Sequence, residues 1–98
     1  MVVQLPPVHP GEILRDEFLA PHGLSAGALA RKLNVPRTRI ERLVTEQSSV
    51  TPDTALRLAR FFDMSPQFWM NLQTSYDLKV EARAKADEIA AIEKLPAA

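Results

Sequence analysis

The sequence has 98 residues with no cysteine, only three glycines and no net charge, because twelve cationic side chains balance twelve carboxylates. The absence of cysteine excludes a disulfide framework, a thiol nucleophile and a cysteine-based zinc site. The glycines, Gly11, Gly23 and Gly27, are isolated, so there is no glycine-rich loop to cradle a phosphate. A neutral chain is a poor general nucleic-acid coat, and any DNA binding must come from a local basic patch.

Long apolar segments are also missing. No apolar run approaches the ~18 residues that a membrane span needs, so we expect no membrane partner. The N-terminus lacks the basic start and apolar stretch of a signal peptide, which favours a cytoplasmic location. With 46% hydrophobic residues, the chain can form one small domain. Oligomerisation would help to stabilise a protein of this size.

Catalytic constellations are absent as well. The two histidines, His9 and His22, flank the first predicted helix, and no spacing suggests a nucleophilic triad. We expect His9 to fix the start of that helix and His22 to lie at its C-terminal end, where positive charge is favoured. The adjacent carboxylates of Asp16 and Glu17 diverge on a helix. No metal-ligand spacing is present, so the sequence predicts no enzyme, no cofactor and no metal site.

Helical periodicity covers most of the chain, and no strand-like alternation appears within residues 10–93. We predict an all-α fold of five helices, with an extended arm at the N-terminus and a long helix at the C-terminus. The first helix is expected over residues 10–20, because Pro21 and Gly23 follow it. The predicted organisation is an arm (1–9), a helix-turn-helix domain (10–80) and a C-terminal helix extension with a tail (81–98).

The last two helices have strong start signals. Thr51 is a good N-cap before Pro52, and Ser65 before Pro66 repeats the pattern. The fourth helix buries one of two faces, formed either by Leu56, Ala59 and Phe62 or by Ala55, Leu58 and Phe61.

The fifth helix has no proline or glycine over residues 66–93, which would span roughly 42 Å. A helix of that length projects from its own domain, bends back or ends early. Its apolar residues recur every four positions: Phe68, Leu72, Tyr76 and Val80. This stripe is either monomer core or a contact between two copies. For the second alternative, the predicted dimer interface is Phe62, Phe68, Trp69, Leu72 and Tyr76.

Residues 25–45 are typical of a helix-turn-helix unit. Ser25 is a suitable N-cap for the first helix, Asn34 tolerates a left-handed turn, and the fixed φ of Pro36 suits the start of the second helix. The buried positions predicted for the two helices are Leu29, Ala30, Leu33, Ile40 and Leu43.

The same unit carries the basic patch. Between residues 31 and 42, five cationic side chains and one carboxylate give a local net charge of +4. The residues left facing outward on the second helix are Arg37, Thr38, Arg39 and Arg42. Such a helix can enter a DNA major groove, and the alternative is a helical hairpin with a solvated arginine face. Arg31 and Lys32 end the preceding helix and are expected to reach only phosphate.

Three segments resemble the HigA antitoxins, within the larger lambda-repressor-like, Xre-type helix-turn-helix superfamily. They are His9–Leu14 (HPGEIL), Thr51–Ala59 (TPDTALRLA) and Ser65–Gln73 (SPQFWMNLQ), and the resemblance covers about residues 8–80. It implies a five-helix domain that binds a double-stranded DNA operator as a homodimer and represses its own operon. It also implies a protein partner, a HigB-like toxin of the RelE-like ribonuclease type.

The resemblance assigns roles to particular residues. Those expected to face bases are Arg37, Thr38, Arg39 and Arg42. Together with Arg31 and Lys32, the residues expected to meet phosphates are Ser25, Thr45, Gln47 and Ser48. This chain has Thr45-Glu46-Gln47 where family members often carry an Asn-Gly-basic stretch, and Glu46 would repel a phosphate that it faced.

Two functional alternatives remain open from the sequence. The chain could be a helical protein-interaction adaptor that does not bind DNA, or an orphan Xre-type regulator without a toxin. A toxin must leave the recognition helix free if the complex represses. The candidate toxin surfaces are therefore the arm with helix 1 (5–19), which is preferred, and the distal fifth helix (79–95). The arm could equally pack over its own domain or a dimer mate.

Overall fold

The computed structural model describes residues 6–97, which form six helices and no strand. The all-α prediction is confirmed, and the sixth helix is the distal part of the predicted fifth. Helix α1 covers residues 10–22. The others are α2 (Ala26–Leu33), α3 (Arg37–Val44), α4 (Pro52–Phe62), α5 (Pro66–Ala84) and α6 (Ala86–Ala90). Of the predicted arm (1–9), residues 1–5 lie outside the described residues, and residues 6–9 precede α1 without regular secondary structure.

The N-terminus of α1 is capped by a buried histidine. The Nδ1 atom of His9 accepts a hydrogen bond from the backbone N–H of Gly11 at 2.9 Å. The imidazole ring also meets the ring of Tyr76 edge-on, with centroids 4.8 Å apart. The predicted role of His9 in fixing the start of α1 is confirmed, and the same side chain joins that start to α5.

The predicted end of α1 at residue 20 is wrong, because the helix continues to His22 and stops at Gly23, which has φ 62°. Between α-helical turns at Pro10–Ile13 and Ala20–His22, the segment Leu14–Leu19 is π-helical. A proline ring clashes with the carbonyl four residues earlier in a regular α-helix. The wider turns just before Pro21 accommodate it without ending the helix.

The helix-turn-helix forms where the local signals place it. The Ser25 hydroxyl accepts a hydrogen bond from the N–H of Ala28 at 3.0 Å, and Asn34 adopts the left-handed conformation with φ 57°. Pro36 occupies the N-cap position of the second helix, with φ −60°. It stands just before α3 with ψ 142°, so the helix begins at Arg37 without a side-chain cap.

Helix α1 contacts the C-terminal end of α3 closely. The Arg15 guanidinium donates from Nη1 to the carbonyl oxygen of Val44 at 2.8 Å, which satisfies a carbonyl at the end of α3. At Gly11, a Cβ atom would lie 1.8 Å from the carbonyl oxygen of Leu43. The two backbones can approach this closely only because Gly11 has no side chain.

The buried face of α4 combines positions from both of its predicted faces. Its buried residues are Thr54, Ala55, Leu58 and Ala59. Leu56 and Phe61 are 60% and 38% exposed, so neither predicted set is buried as a whole. At the end of the helix, Phe62 is the aromatic residue that packs against the core. The small side chains of Ala55 and Ala59 allow α4 to fit between α2 and α5, both of which it contacts.

Helix α5 does not extend over residues 66–93. It ends at Ala84, and Lys85 (φ −117°, ψ 22°) separates it from the short α6. Every described residue from 77 to 97 is exposed, so no tertiary packing supports a longer straight helix. No helix end falls at the proposed boundary between residues 80 and 81, and that division stays a proposal. The distal segment extends the molecule to 55 Å by 28 Å by 23 Å.

The face of α5 that reaches the core differs from the predicted stripe. Trp69 is 0% exposed and Gln73 is buried, whereas Phe68 and Val80 are 39% and 37% exposed. Trp69 packs against Phe18 of α1, with ring centroids 4.9 Å apart. Its side chain has no surface to offer another subunit. We therefore correct the predicted dimer interface by removing Trp69 from it.

The rest of the core joins the first five helices. The fully buried side chains include Leu14, Leu29, Ile40, Leu43 and Leu58. All four large apolar positions predicted for the helix-turn-helix are in the core, together with Ala30: Leu29, Leu33, Ile40 and Leu43. Burial of this set fixes which side of α3 faces the solvent.

The close approach at Gly11 predicts a loss of stability in Gly11→Ala. A methyl group cannot share space with the Leu43 carbonyl, so the helices must separate, at roughly 1–3 kcal/mol of unfolding free energy. Urea unfolding followed by circular dichroism measures the difference. Gly27→Ala is the matched control, because its Cβ would meet only the flexible Arg37 side chain at 3.4 Å. Equal stability of the two variants would contradict the role given to Gly11.

Candidate nucleic-acid interface

The solvent face of α3 carries the predicted base-contacting residues. Ile40 and Leu43 lie against the core, with 0% and 1% exposure. The remaining positions of α3 named from the sequence are all exposed: Arg37, Thr38, Arg39 and Arg42. The structure therefore presents three guanidinium groups and a hydroxyl from one short helix. This is the placement that a helix reading a major groove requires.

The three arginines of α3 have different surroundings. Arg37 pairs with Glu41 one turn along its own helix and is 76% exposed. Arg39 reaches across to α4, where its Nη1 lies 2.5 Å from Oδ2 of Asp53. For Arg42, no ion pair or side-chain hydrogen bond is recorded among residues 6–97. Arg37 and Arg42 are thus loosely held, and Arg39 is held by a second helix.

A cleft of ≈ 320 Å³ lies beside α3. It lies between α3, the following loop and the first turn of α4. The residues lining it are Arg39, Arg42, Ser48, Ser49, Thr51, Asp53 and Thr54. Guanidinium and hydroxyl groups are the usual donors to phosphate and sugar oxygens in protein–DNA contacts. The structure thus joins two predicted base-contacting arginines to the predicted phosphate contact Ser48.

The loop after α3 is held by backbone and buried hydrogen bonds. The N–H of Gln47 donates to the Arg42 carbonyl at 2.7 Å, and Glu46 takes a left-handed φ of 63°. At the end of the loop, the N–H of Val50 donates to Oε1 of the buried Gln73 at 2.7 Å. The loop that carries Ser48 is therefore fastened to α5.

The carboxylate of Glu46 has a partner in α1. Its Oε2 lies 3.7 Å from Nη1 of Arg15, the same group that binds the end of α3. This ion pair offsets the negative charge of Glu46 within the loop. Thr45, in contrast, uses its hydroxyl to donate to the Glu41 carbonyl at 2.7 Å.

The other predicted phosphate contacts lie outside the cleft. Arg31 and Lys32 are exposed in the last turn of α2, and the exposed Ser25 caps its first turn. Gln47 is exposed at the tip of the loop. Their assignment to phosphates stays a prediction.

Two site residues were missed by the sequence reasoning, Asp53 and Arg57. The Nε of Arg57 donates to Oδ2 of Asp53 at 3.0 Å, and its Nη1 donates to the Leu33 carbonyl at 2.8 Å. The four-residue spacing of Asp53 and Arg57 on a helix indicates an ion pair and could have been noticed. The pairing with Arg39, which is fourteen residues away, has no local signal.

The two arginines lower the pKa of Asp53. The hydrogen bond from Arg39 is the larger cause and that from Arg57 the next, since both favour the charged carboxylate. A carboxyl with a lowered folded-state pKa stabilises the fold above its ordinary pKa, near 4. That stabilisation is lost as the pH falls through the folded-state value.

Arg39→Ala should therefore raise the pKa of Asp53 toward its ordinary value. Titration of the Asp53 carboxyl carbon by NMR measures the change. Arg37→Ala provides the control, because Arg37 pairs with Glu41 instead and its removal should leave the Asp53 titration in place. An Asp53 titration that is the same in wild type and Arg39→Ala would refute the pairing.

Residues 6–97 contain neither of two further kinds of site. No group of three or more His, Asp or Glu side chains is placed to hold a metal ion there. In the same part of the chain, no helix is both long enough and apolar enough to cross a membrane.

The packed pair α2 and α3, with a left-handed turn between them, defines a helix-turn-helix domain. A family model described as Helix-turn-helix matches residues 14–69. Virulence-associated protein I of Dichelobacter nodosus is 54% identical over 82 residues, which are 84% of this chain and 76% of that protein. Antitoxin HigA-1 of Vibrio cholerae is 38% identical over 72 residues, covering 74% of this chain and 68% of the relative.

A solved structure gives a similar match. The structure of Pseudomonas aeruginosa antitoxin HigA with the higBA promoter has 48% sequence identity and a TM-score of 0.89. The match covers 92% of this chain and 99% of that one. The chain belongs to the helix-turn-helix family, in the branch that includes the HigA antitoxins. This is a family of non-enzymatic regulators, in agreement with the expectation from the sequence.

Proposed function

We propose that this protein is a sequence-specific DNA-binding repressor and the antitoxin of a type II toxin–antitoxin module. The observation that carries the proposal is the solvent face of α3, where three arginines project opposite the buried Ile40 and Leu43. The net charge of +4 within residues 31–42 of a neutral chain is shared by the end of α2 and by α3, and it attracts phosphates to this part of the surface. The similar Pseudomonas aeruginosa antitoxin HigA was solved with the higBA promoter, which supports DNA binding by this chain.

The DNA-binding unit is a homodimer. One α3 helix contacts too few base pairs for tight and specific binding, whereas a two-fold dimer places two such helices about 34 Å apart on a palindromic operator. The proposed contact surface uses the exposed side of α5 and its junction with α4. After the removal of Trp69, the surface consists of Phe62, Phe68, Leu72 and Tyr76. Phe68 contributes the largest exposed ring of this set.

The toxin partner is a HigB-like ribonuclease of the RelE-like type. It docks away from α3, because an antitoxin that represses in complex must leave its recognition helices free. The preferred surface is the arm with α1, where Val8 is 43% exposed and Pro6 is also exposed. Prolines already restrict this segment, so it loses less conformational entropy when it is bound. We expect a protein that binds an operator and such a toxin to act in the cytoplasm.

Base recognition predicts different behaviour for two cationic residues. Arg39 should reach a guanine edge, and its removal in Arg39→Ala should relax the preference at one base pair, with a loss of ~1–3 kcal/mol of discrimination. Lys32→Ala should weaken binding to all sequences about equally and reduce the salt slope by about one unit. Gel shifts with the DNA upstream of the protein's own gene and with random DNA of the same length measure both effects.

Equal losses on both DNA sequences for both variants would contradict the assignment of α3 as the reading helix. Wild-type protein that shows no preference for its own upstream DNA would instead support a protein-interaction adaptor. Sedimentation at micromolar concentration, with and without this DNA, tests the dimer in the same samples. Monomer in both conditions would refute it.

Toxin docking is tested by a pull-down of the small protein encoded next to this gene. We expect full-length chain to capture it and a chain lacking residues 1–8 to capture much less. The truncation begins at His9 and so retains the cap of α1. Undiminished capture would move the toxin site to the distal helix or elsewhere, and the absence of any such neighbour would support an orphan regulator.

A further inference from the structure

A continuous series of hydrogen bonds joins three helices behind Arg39. It begins at the Leu33 carbonyl at the end of α2, which accepts from Arg57 at 2.8 Å. Arg57 donates in turn to Oδ2 of Asp53 at 3.0 Å. The same oxygen accepts from Nη1 of Arg39 at 2.5 Å. The Arg39 side chain of α3 is thereby held in position relative to α2 and α4.

The Asp53 carboxylate occupies a well-defined place in this series. It lies in the first turn of α4, where Thr51 caps the helix and a negative charge is favoured by the helix dipole. The next two residues, Thr54 and Ala55, are buried and fix the backbone of that turn. The carboxylate is thus supplied by a rigid element.

The neighbouring arginines have no comparable support. The partner of Arg37 is Glu41, which belongs to the same helix and moves with it. No side-chain partner of Arg42 is recorded in residues 6–97. Arg39 is 41% exposed, about half the value of Arg37, although both face away from the core. An unsupported arginine must lose the freedom of a long side chain on binding, and a supported one has already lost part of it.

We propose that Asp53 is a positioning residue that directs Arg39 toward a base edge. This inference rests on the proposed DNA-binding function and adds a specificity determinant to it. Asp53 accepts a hydrogen bond from one N–H of Nη1, which leaves the guanidinium four other N–H donors. Two of them suffice for a bidentate contact with guanine O6 and N7.

The charge of Asp53 acts in the same direction. A carboxylate beside the guanidinium repels a phosphate that approaches Arg39, so phosphate is left to Arg42 and the hydroxyl groups of the cleft. The pair is exposed and adds little stability to the free protein. Bound DNA excludes water from the cleft, which lowers the local dielectric and strengthens the pair when the base is read.

Asp53→Asn tests this role through selectivity. We expect the preference for the base pair read by Arg39 to fall about tenfold, within the range of a lost bidentate contact. Affinity for random DNA should stay the same or rise, because an anion near the DNA is removed. The probes are the DNA upstream of the gene and a set of its single base-pair variants. The ratio of two dissociation constants from one preparation does not depend on the folded fraction.

Three controls separate positioning from general effects. Asp87→Asn makes the same charge change on the exposed surface of α6, away from α3, and should leave the ratio unchanged. Asp53→Glu retains a carboxylate on α4 and should restore part of the preference. In an Arg39→Ala background, Asp53→Asn should have no further effect on the ratio.

Different failures point to different errors. If Arg39→Ala abolishes the preference while Asp53→Asn leaves it intact, the positioning role is overturned and the proposed function stands. If Asp53→Asn raises operator affinity and keeps the preference, Asp53 restrains Arg39 instead of aiming it, and the proposal is again overturned. If wild-type protein does not distinguish its upstream DNA from random DNA, the proposed function itself fails and the proposal fails with it.

Discussion

The close contact between α1 and the end of α3 is the constraint on which the rest of the structure depends. Gly11 lets the two backbones meet at the Leu43 carbonyl, and Arg15 satisfies the carbonyl of Val44. These interactions fix where α3 ends and how it sits on the core. The packing of α3 against α1 and the core sets the direction of its arginines. It also sets the course of the following loop and the position of the cleft.

A second set of contacts links the loop after α3 to the opposite side of the domain. His9 meets Tyr76, and the buried Gln73 holds the N–H of Val50. Both α5 residues lie within one turn of each other. The same segment of α5 therefore supports the start of α1 and the loop after α3, while its outer side carries the proposed dimer surface. One short part of α5 therefore contributes both to the stability of the domain and to the proposed dimer surface.

Local signals predicted most of the fold. Ser25, Thr51 and Ser65 each cap a helix, and Asn34 makes the left-handed turn, because capping and turn conformations are decided by a few neighbouring residues. The exposed face of α3 followed from its apolar spacing. The π-helical segment of α1 and the break at Lys85 were not predictable in this way. One depends on how Pro21 is fitted into a helix already held by packing, and the other on the absence of packing.

In the candidate site, too, local sequence signals predicted some residues, and tertiary packing decided the others. Arg37, Arg39 and Arg42 could be named from the sequence because they occupy one helical face. The partner of Arg39 could not, since Asp53 approaches it only through the packing of α4 against the helix-turn-helix. The place of Trp69 in the core was likewise settled by its contact with Phe18 on a distant helix. Sequence periodicity identified the stripe on α5 but not the side that turns inward.

Trp69 has a practical consequence as the only tryptophan in the chain. Its indole lies at the junction of α1 and α5, and no partner for its N–H is found among the described residues. Its fluorescence therefore reports the packing of the globular part alone, without a contribution from the projecting distal helix. The molecule carries an intrinsic optical probe of its core that requires no label and leaves the arginine face untouched.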